Sequence, residues 1–157
     1  MTIKTEAYTV HRKLLEEKPE QYEEEVRERL LTGLPVKGYE YVEAQRVKQL
    51  AVEEFNNVLK EVDIILTPTL SIMPSDFNQR EVKINEEKLH IRAAPTRLTG
   101  PTNLNGFPSL NVPCGISKNG LPIGMQLIGG PFDEANLYNY GYSFEQEFSL
   151  NLNSNLE

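Results

Sequence analysis

The sequence predicts an α/β fold, a mixed sheet with covering helices, from three observations. Apolar residues recur at helical spacing through most of residues 3–62. The run VDIILTPTL, residues 62–70, is compact and apolar, which is typical of a buried strand. Two alternating segments then meet at Asn119-Gly120, a turn signal because both residues tolerate a positive φ. With 157 residues, the chain is long enough for one domain with a core.

Three helices are expected in the first part of the chain. Apolar residues at helical spacing predict a helix over residues 3–17, and Pro19 would end it and begin the next helix. That second helix continues to Gly33, a residue type that commonly follows the last helical turn. The longest helix runs from Tyr39 to about Val62, with most of its apolar residues on one side.

The second part of the chain is expected to contain strands and two shorter helices. The buried strand ends at Pro68, and a loop over residues 70–80 follows it. The remaining predicted elements are a small hairpin over residues 81–91, a short helix over 97–104, strands over 109–116 and 121–128, and a last helix that Asp133 caps. One strand and one hairpin make a small sheet for so many helices. The sequence therefore predicts that other strands of the sheet are supplied from elsewhere.

Charge and composition exclude several classes of protein. The net charge is -7, and both nucleic acids and membrane surfaces are anionic, so neither is an expected partner. No segment approaches the roughly 20 apolar residues of a membrane span. The single cysteine cannot form an internal disulfide, which favours a reducing, cytoplasmic setting. One domain is expected over residues 1–150, followed by a disordered polar tail over 151–157, in which Leu156-Glu157 is a candidate cloning scar.

The titratable residues form no recognisable catalytic or metal-binding pattern. His11 and His90 are far apart in sequence and lack neighbouring ligands, so neither a metal nor a cofactor is expected. Cys114 lies on a predicted apolar strand face, where a thiol is usually inert packing, although a nucleophilic role stays open. Four other residues are candidates for a Ser–Lys catalytic pair that their spacing does not support: Ser71, Ser109, Lys60 and Lys118. Residue chemistry alone therefore indicates a globular domain without a recognisable active site.

Several separated motifs resemble those of the amidase signature family. The run NLNGFPSLNVPCG (103–115), followed by GLPIGMQLIGGPFDEANL (120–137), is similar to the hallmark of that family's C-terminal part. The run VDIILTPTL resembles a buried strand of the family that ends in Thr-Pro-Thr. The segment GYEYVEAQRVKQLAVEEF (38–55) resembles the long helix before that strand. The resemblance covers about residues 5–148 and implies the C-terminal part of the amidase signature fold.

The resemblance implies amide hydrolysis in a longer protein. In the family, a lysine activates a serine nucleophile through a second serine on a cis peptide, and an acyl-enzyme forms and is hydrolysed. Backbone donors of a Gly-rich segment stabilise the oxyanion. All of these groups belong to the family's N-terminal part. The resemblance therefore implies that this chain supplies scaffold and part of a substrate pocket, contains no catalytic residue and is inactive alone.

The same resemblance assigns candidate substrate-binding residues. A family region that often borders the substrate pocket corresponds to residues 96–106, so the pocket-wall candidates are Thr96, Thr99, Pro101 and Asn103. A structural interpretation stays open, with Thr96 as a helix cap and Asn103 satisfying buried backbone groups. The family's amidotransferase subunits, which release ammonia from glutamine, usually carry Asp where Thr96 stands. The missing carboxylate favours a general amidase acting on an uncharged small-molecule amide over a glutaminase subunit.

Two further alternatives stay open. The tripeptide Gly106-Phe107-Pro108 is expected to fix the backbone at a strand entry, and the alternative is that it shapes the acyl pocket directly. The whole chain is alternatively a non-catalytic interaction or scaffold domain derived from an amidase. Such a domain would need to cover its exposed sheet edge, for example by forming a homo-oligomer.

Overall fold

The computed structural model describes residues 1–148 and confirms the α/β class. The elements are α1 (Thr2–Glu17), a short 3-10 helix (Pro19–Gln21), α2 (Glu24–Leu31), α3 (Gly38–Val58), β1 (Ile65–Pro68), β2 (Glu81–Ile84), β3 (Glu87–His90), α4 (Thr96–Asn105), β4 (Ser109–Ile116), β5 (Pro122–Ile128) and α5 (Glu134–Glu147). The chain divides into two compact units, Met1–Ala51 and a second that begins at Val52. The tail predicted at residues 151–157 lies outside the described residues. Among those described, no helix is both long enough and apolar enough to span a membrane.

The first unit is built from packed helices, and its second helix starts later than the sequence predicts. Pro19 begins a single 3-10 turn instead of an α-helix. Tyr22 is extended, with φ -104° and ψ 136°, so the helical hydrogen bonds cannot continue through it. Its hydroxyl lies 2.9 Å from Nδ1 of His11 on α1, which ties this extended residue to the first helix. The α-helix proper therefore begins only at Glu24.

The second unit contains a three-stranded antiparallel sheet with the order β1-β5-β4. The predicted lone strand therefore pairs with the predicted hairpin, and β5 is the central strand. Thr67 and Asn111 lie opposite Gln126 on its two sides. The segment 81–90 forms a separate two-stranded hairpin, as the alternating sequence predicts. Strand pairs within residues 1–148 are all antiparallel.

The core of this unit lies between the sheet and α5. Val112 of β4, Leu127 of β5 and Leu137 of α5 are each at most 3% exposed and pack together. Alternation along the strands places polar side chains on the opposite face of the sheet. There Gln126 is buried, and its Nε2 donates to Oγ1 of Thr67 at 3.2 Å and to the Leu98 carbonyl of α4 at 3.4 Å. The sheet thus carries an apolar layer under α5 and a polar row facing α4.

The prediction that Cys114 packs on an apolar strand face is wrong, because its side chain is exposed. The register between β4 and β5 shifts between Pro113 and Gly115, which pair with Gly124 and Ile123. This irregularity leaves Cys114 as the extra residue of a β-bulge, so the alternation that placed it on the core face is broken.

Asp133 stands at the N-cap of α5, as predicted, but its side chain makes no capping bond to the backbone. Instead its Oδ1 accepts a hydrogen bond from Nδ2 of Asn136 at 2.6 Å. The predicted position of the helix start is confirmed, whereas the predicted side-chain cap is not formed.

Candidate functional site

The titratable candidates do not converge within the part of the chain that the structure describes. No group of three or more His, Cys, Asp or Glu residues there is placed to hold a metal ion. His11 contacts Tyr22, and Nδ1 of His90 accepts a hydrogen bond from the backbone N–H of Arg92 at 3.2 Å. Both histidines therefore make local structural contacts.

The four candidates for a Ser–Lys pair are also separate. Lys60 Nζ donates to Oδ1 of Asn57 at 3.0 Å, and Ser71 Oγ donates to the Ala94 carbonyl at 3.0 Å. Ser109 begins β4, whereas Lys118 lies beyond its other end. Neither serine has a lysine as a hydrogen-bond partner, so the described residues hold no assembled Ser–Lys nucleophile.

The described residues do form an open cleft of about 450 Å³, which we name the Thr69 cleft. Its volume falls within the roughly 300–1,000 Å³ range of small-molecule sites. One wall is the segment after β1 and the other is the sheet: Thr69, Leu70, Ser71, Ile72, Met73, Pro74, Asn111, Pro113, Pro122, Ile123 and Gly124. None of these side chains is ionisable. A second cleft of about 320 Å³ lies between the same segment and residues that include Val82, Lys83 and Ile91.

The Thr69 cleft is organised by Thr69, just past β1, together with Gly124 of β5 and Asn111 of β4. The Thr69 hydroxyl donates a short hydrogen bond to Oδ1 of Asn111. The backbone N–H of Thr69 donates to the Gly124 carbonyl at 3.0 Å, which continues the β1–β5 ladder past the end of β1. A Cβ built on Gly124 would lie 2.5 Å from Oδ1 of Asn111 and 3.1 Å from Oγ1 of Thr69. Glycine at 124 is therefore what permits the Thr69–Asn111 pair to form.

The four pocket-wall candidates all lie on α4, and none of them lines the Thr69 cleft. Thr96, Pro101 and Asn103 are exposed, and Thr99 is half-buried. Their contact with a substrate stays a prediction. The structure thus keeps these four residues on one short helix, apart from the cleft.

The structural alternatives for Thr96 and Asn103 are wrong. Pro95 is the N-cap of α4, and the Thr96 hydroxyl donates to the Ala93 carbonyl at 3.1 Å, so it does not accept a bond from a helical N–H. Asn103 Nδ2 donates to the Thr99 carbonyl at 3.0 Å on an exposed surface, so it satisfies no buried backbone group.

The tripeptide Gly106-Phe107-Pro108 connects α4 to β4. Gly106 has φ +79° at the C-cap of α4, in the left-handed region that favours glycine. Phe107 is buried, and its ring centroid lies 5.4 Å from that of Phe55. This geometry supports the architectural interpretation of the tripeptide, because its aromatic side chain is used in packing.

Sequence reasoning did not identify Thr69, Asn111 and Gly124 as a group. A signal was present, since Thr69 belongs to the Thr-Pro-Thr run and the other two lie in the strands of the predicted hairpin. Their proximity depends on β1 pairing with β5, a contact between strands that are far apart in the chain. Periodicity within a segment carries no information about such a pairing.

Comparisons with known proteins agree on one family. The amidase family model matches residues 2–138. A glutamyl-tRNA(Gln) amidotransferase subunit from Clostridium novyi is 42% identical over 84% of this chain and 27% of its own length. The corresponding subunit from Macrococcus caseolyticus is 40% identical over 83% of this chain and 27% of its own length.

The same family emerges from solved structures. A crystal structure of an amidase superposes with a TM-score of 0.85 and 29% identity, over 92% of this chain and 33% of that one. The chain thus spans about a quarter to a third of the length of the relatives that it matches. The expected resemblance is confirmed over nearly all of the described residues, and the chain belongs to the amidase family.

Proposed function

We propose that this chain serves amide hydrolysis as the C-terminal part of a longer amidase, supplying scaffold and one wall of the substrate pocket. The observation that carries the proposal is the family match over residues 2–138. It is supported by the size of the relatives, which are about three to four times longer than the part matched here. The cytoplasmic setting that the single cysteine favours is part of this proposal.

In the proposed mechanism, the reacting groups belong to the remainder of the amidase. A lysine there accepts a proton from a second serine, which accepts one from the nucleophilic serine. The nucleophile attacks the amide carbonyl, the C–N bond breaks, and ammonia leaves with a proton returned by the same relay. Water then hydrolyses the acyl ester and regenerates the serine. The proposed contribution of this chain is to position the amide, with Thr96, Thr99, Pro101 and Asn103 of α4 as candidate contacts.

A second candidate function is that of an amidotransferase subunit, and it is favoured by the relatives that this chain resembles in sequence. The two described above are subunits of glutamyl-tRNA(Gln) amidotransferases, with 42% and 40% identity to this chain. On this alternative, the chain is part of a glutaminase subunit of a tRNA-dependent amidotransferase. The observation against it is Thr96, which cannot supply a carboxylate for the ammonium group of glutamine.

The test compares ammonia release by this chain with release by a protein in which an upstream amidase part precedes it. The substrates are propionamide, benzamide and glutamine at equal concentrations. The proposal predicts turnover of the neutral amides by the longer protein and none by residues 1–157. Faster turnover of glutamine than of either neutral amide would favour the amidotransferase candidate. Absence of turnover by both proteins would overturn the amidase proposal and favour a scaffold role.

The variant Thr96→Asp sharpens the choice between the two candidates. A carboxylate at this exposed position should raise the glutamine-to-benzamide ratio of kcat/KM by roughly tenfold, the effect of one charge-assisted hydrogen bond. The matched control is Asn119→Asp, which adds the same charge in the exposed turn between β4 and β5. An equal change in both variants would contradict a role of residue 96 in substrate choice.

A further inference from the structure

The Thr69 cleft has the composition of a site for an uncharged ligand. Its lining residues include no Asp, Glu, Lys, Arg or His. The lining therefore offers an ionic ligand no opposite charge to pair with, and its polar groups are all neutral. Apolar side chains such as Ile72, Met73 and Ile123 form much of the wall and suit the apolar body of a ligand.

The hydrogen bonds around the cleft determine which polar groups remain for a ligand. The hydrogen of the Thr69 hydroxyl is given to Oδ1 of Asn111, so Oδ1 already has a donor and the Thr69 oxygen can only accept a further hydrogen bond. The Nδ2 group of Asn111 has no hydrogen-bond acceptor among residues 1–148, and the residue is exposed. Asn111 therefore presents an N–H donor to the cleft.

Ser71, on the facing wall of the cleft, supplies a hydrogen-bond acceptor. Its hydroxyl hydrogen is given to the carbonyl of Ala94, a residue that is 0% exposed. The lone pairs of Ser71 Oγ remain, and they can only accept a hydrogen bond. The cleft thus offers a donor from Asn111 and hydroxyl acceptors from Ser71 and Thr69.

A donor and an acceptor together are the complement of a carboxamide, whose acceptor oxygen and donor nitrogen are bonded to the same carbon. We propose that the Thr69 cleft binds an uncharged carboxamide, whose carbonyl oxygen accepts from Nδ2 of Asn111 and whose N–H donates to Oγ of Ser71. The choice of an amide as the ligand rests on the proposed function. The site is new to that function, because it lies off the α4 residues that the family resemblance assigns.

The experiment titrates the 15N-labelled 157-residue chain with benzamide, benzoate and benzylamine. These probes share a ring and differ in charge, and benzylamine is cationic at neutral pH. The proposal predicts that benzamide shifts the backbone resonances of cleft residues such as Ser71 and Gly124. It also predicts that benzoate and benzylamine bind at least about tenfold more weakly. No binding of benzamide, binding elsewhere, or equal affinity for the three probes would overturn the proposal.

A charge substitution in the cleft gives a second test. It should reverse the preference among the probes, whereas unfolding would weaken the binding of all of them. Asn111→Asp removes the N–H donor and adds a carboxylate, while the Thr69 hydroxyl keeps an oxygen to bond. We expect this variant to bind benzamide about tenfold more weakly and benzylamine more tightly than the parent chain. Asn119→Asp makes the same change outside the cleft and should leave all three affinities unchanged. Unaltered preference in Asn111→Asp, or the same reversal in Asn119→Asp, would contradict the assignment.

Failure of the cleft proposal can be distinguished from failure of the proposed amidase function, because benzamide binding and benzamide turnover are measured separately. Selective binding of benzamide by the chain, together with an inactive longer protein, would uphold the cleft and overturn the proposed amidase function. Turnover of benzamide by the longer protein, with no binding at the Thr69 cleft, would do the reverse.

Discussion

The hydroxyl of Thr69 donates a hydrogen bond to the side-chain oxygen of Asn111, although a whole strand, β5, lies between β1 and β4. The bond crosses the sheet above Gly124, where the absence of a side chain leaves room for it. A single methyl group at position 124 therefore tests how much this pair contributes to the fold.

Gly124→Ala should lower the free energy of unfolding by about 1–3 kcal/mol, because the added carbon would lie 2.5 Å from Oδ1 of Asn111. Urea denaturation followed by circular dichroism measures the change. Gly115→Ala is the matched control in the same sheet, since a Cβ there meets no atom within 4 Å. Equal stability of the two variants would show that the Thr69–Asn111 pair is not close-packed over residue 124.

The first unit offers an equivalent pair of glycines. A Cβ built on the buried Gly33 would lie 2.6 Å from the Cβ of Tyr8 and closer still to the Lys4 carbonyl oxygen. Gly33→Ala should therefore destabilise the protein by roughly 1–3 kcal/mol or more, because backbone atoms of α1 must move. Gly38→Ala, in open space at the start of α3, should be neutral or slightly stabilising. Comparable denaturation midpoints for both variants would argue against this packing.

The hydrogen bond of Tyr41 is expected to make the free energy of unfolding depend on pH in the alkaline range. Its hydroxyl donates to the Glu6 carboxylate at 2.8 Å, and this hydrogen bond raises the pKa of Tyr41 above the usual 10.0. The folded chain thus holds the phenolic proton more tightly than the unfolded chain does. The stabilisation is fully present below the unfolded pKa of about 10 and is lost as the pH rises through the higher pKa of the folded state.

The corresponding measurement is the free energy of unfolding between about pH 8 and pH 11, for the parent chain and for Tyr41→Phe. The parent should lose more stability than the variant above a pH of 10.0, because the variant has no phenolic proton at this position. Parallel pH profiles would contradict a linkage through the Tyr41–Glu6 bond.

Cys114 should react readily with a thiol reagent in the native protein. Its side chain is exposed at the bulge of β4, so labelling requires no unfolding. We expect a labelling rate within about tenfold of that of a free thiol under the same conditions, and the rate should not rise in low urea. A slow rate limited by unfolding would instead indicate that the Cys114 side chain is buried. Retained turnover by a Cys114→Ser form of the longer protein would exclude a thiol nucleophile.

Local sequence patterns predicted most of the elements but not their exact starts. The helices over residues 3–17 and from Tyr39, and the hairpin around Asn119-Gly120, follow from periodicity and turn chemistry within each segment. Pro19 misled the prediction, because a proline that suits the first turn of an α-helix also suits a 3-10 turn. The contact between His11 and Tyr22 that accompanies the break joins residues that no periodicity connects.

The candidate site was less predictable, because it depends on contacts between distant segments. Thr69 meets Asn111 only after β1 has paired with β5, and β5 with β4. The exposure of Cys114 depends on one extra residue in a strand, which reverses the face of every later side chain. Neither the Thr69–Asn111 contact nor the bulge at Cys114 can be predicted from the alternation of apolar residues within one segment. The family motifs include both regions, and they identified the family directly.

A fluorophosphonate probe, which labels activated serines, tests whether the nucleophile lies outside this chain. The probe is applied to the 157-residue chain and to a longer amidase that contains it, and the modified peptide is identified by mass spectrometry. The proposed amidase function predicts no labelling of the chain alone, and in the longer protein one labelled serine outside residues 1–157. Labelling of any serine within residues 1–157 would contradict it, because the chain would then carry the reacting group itself.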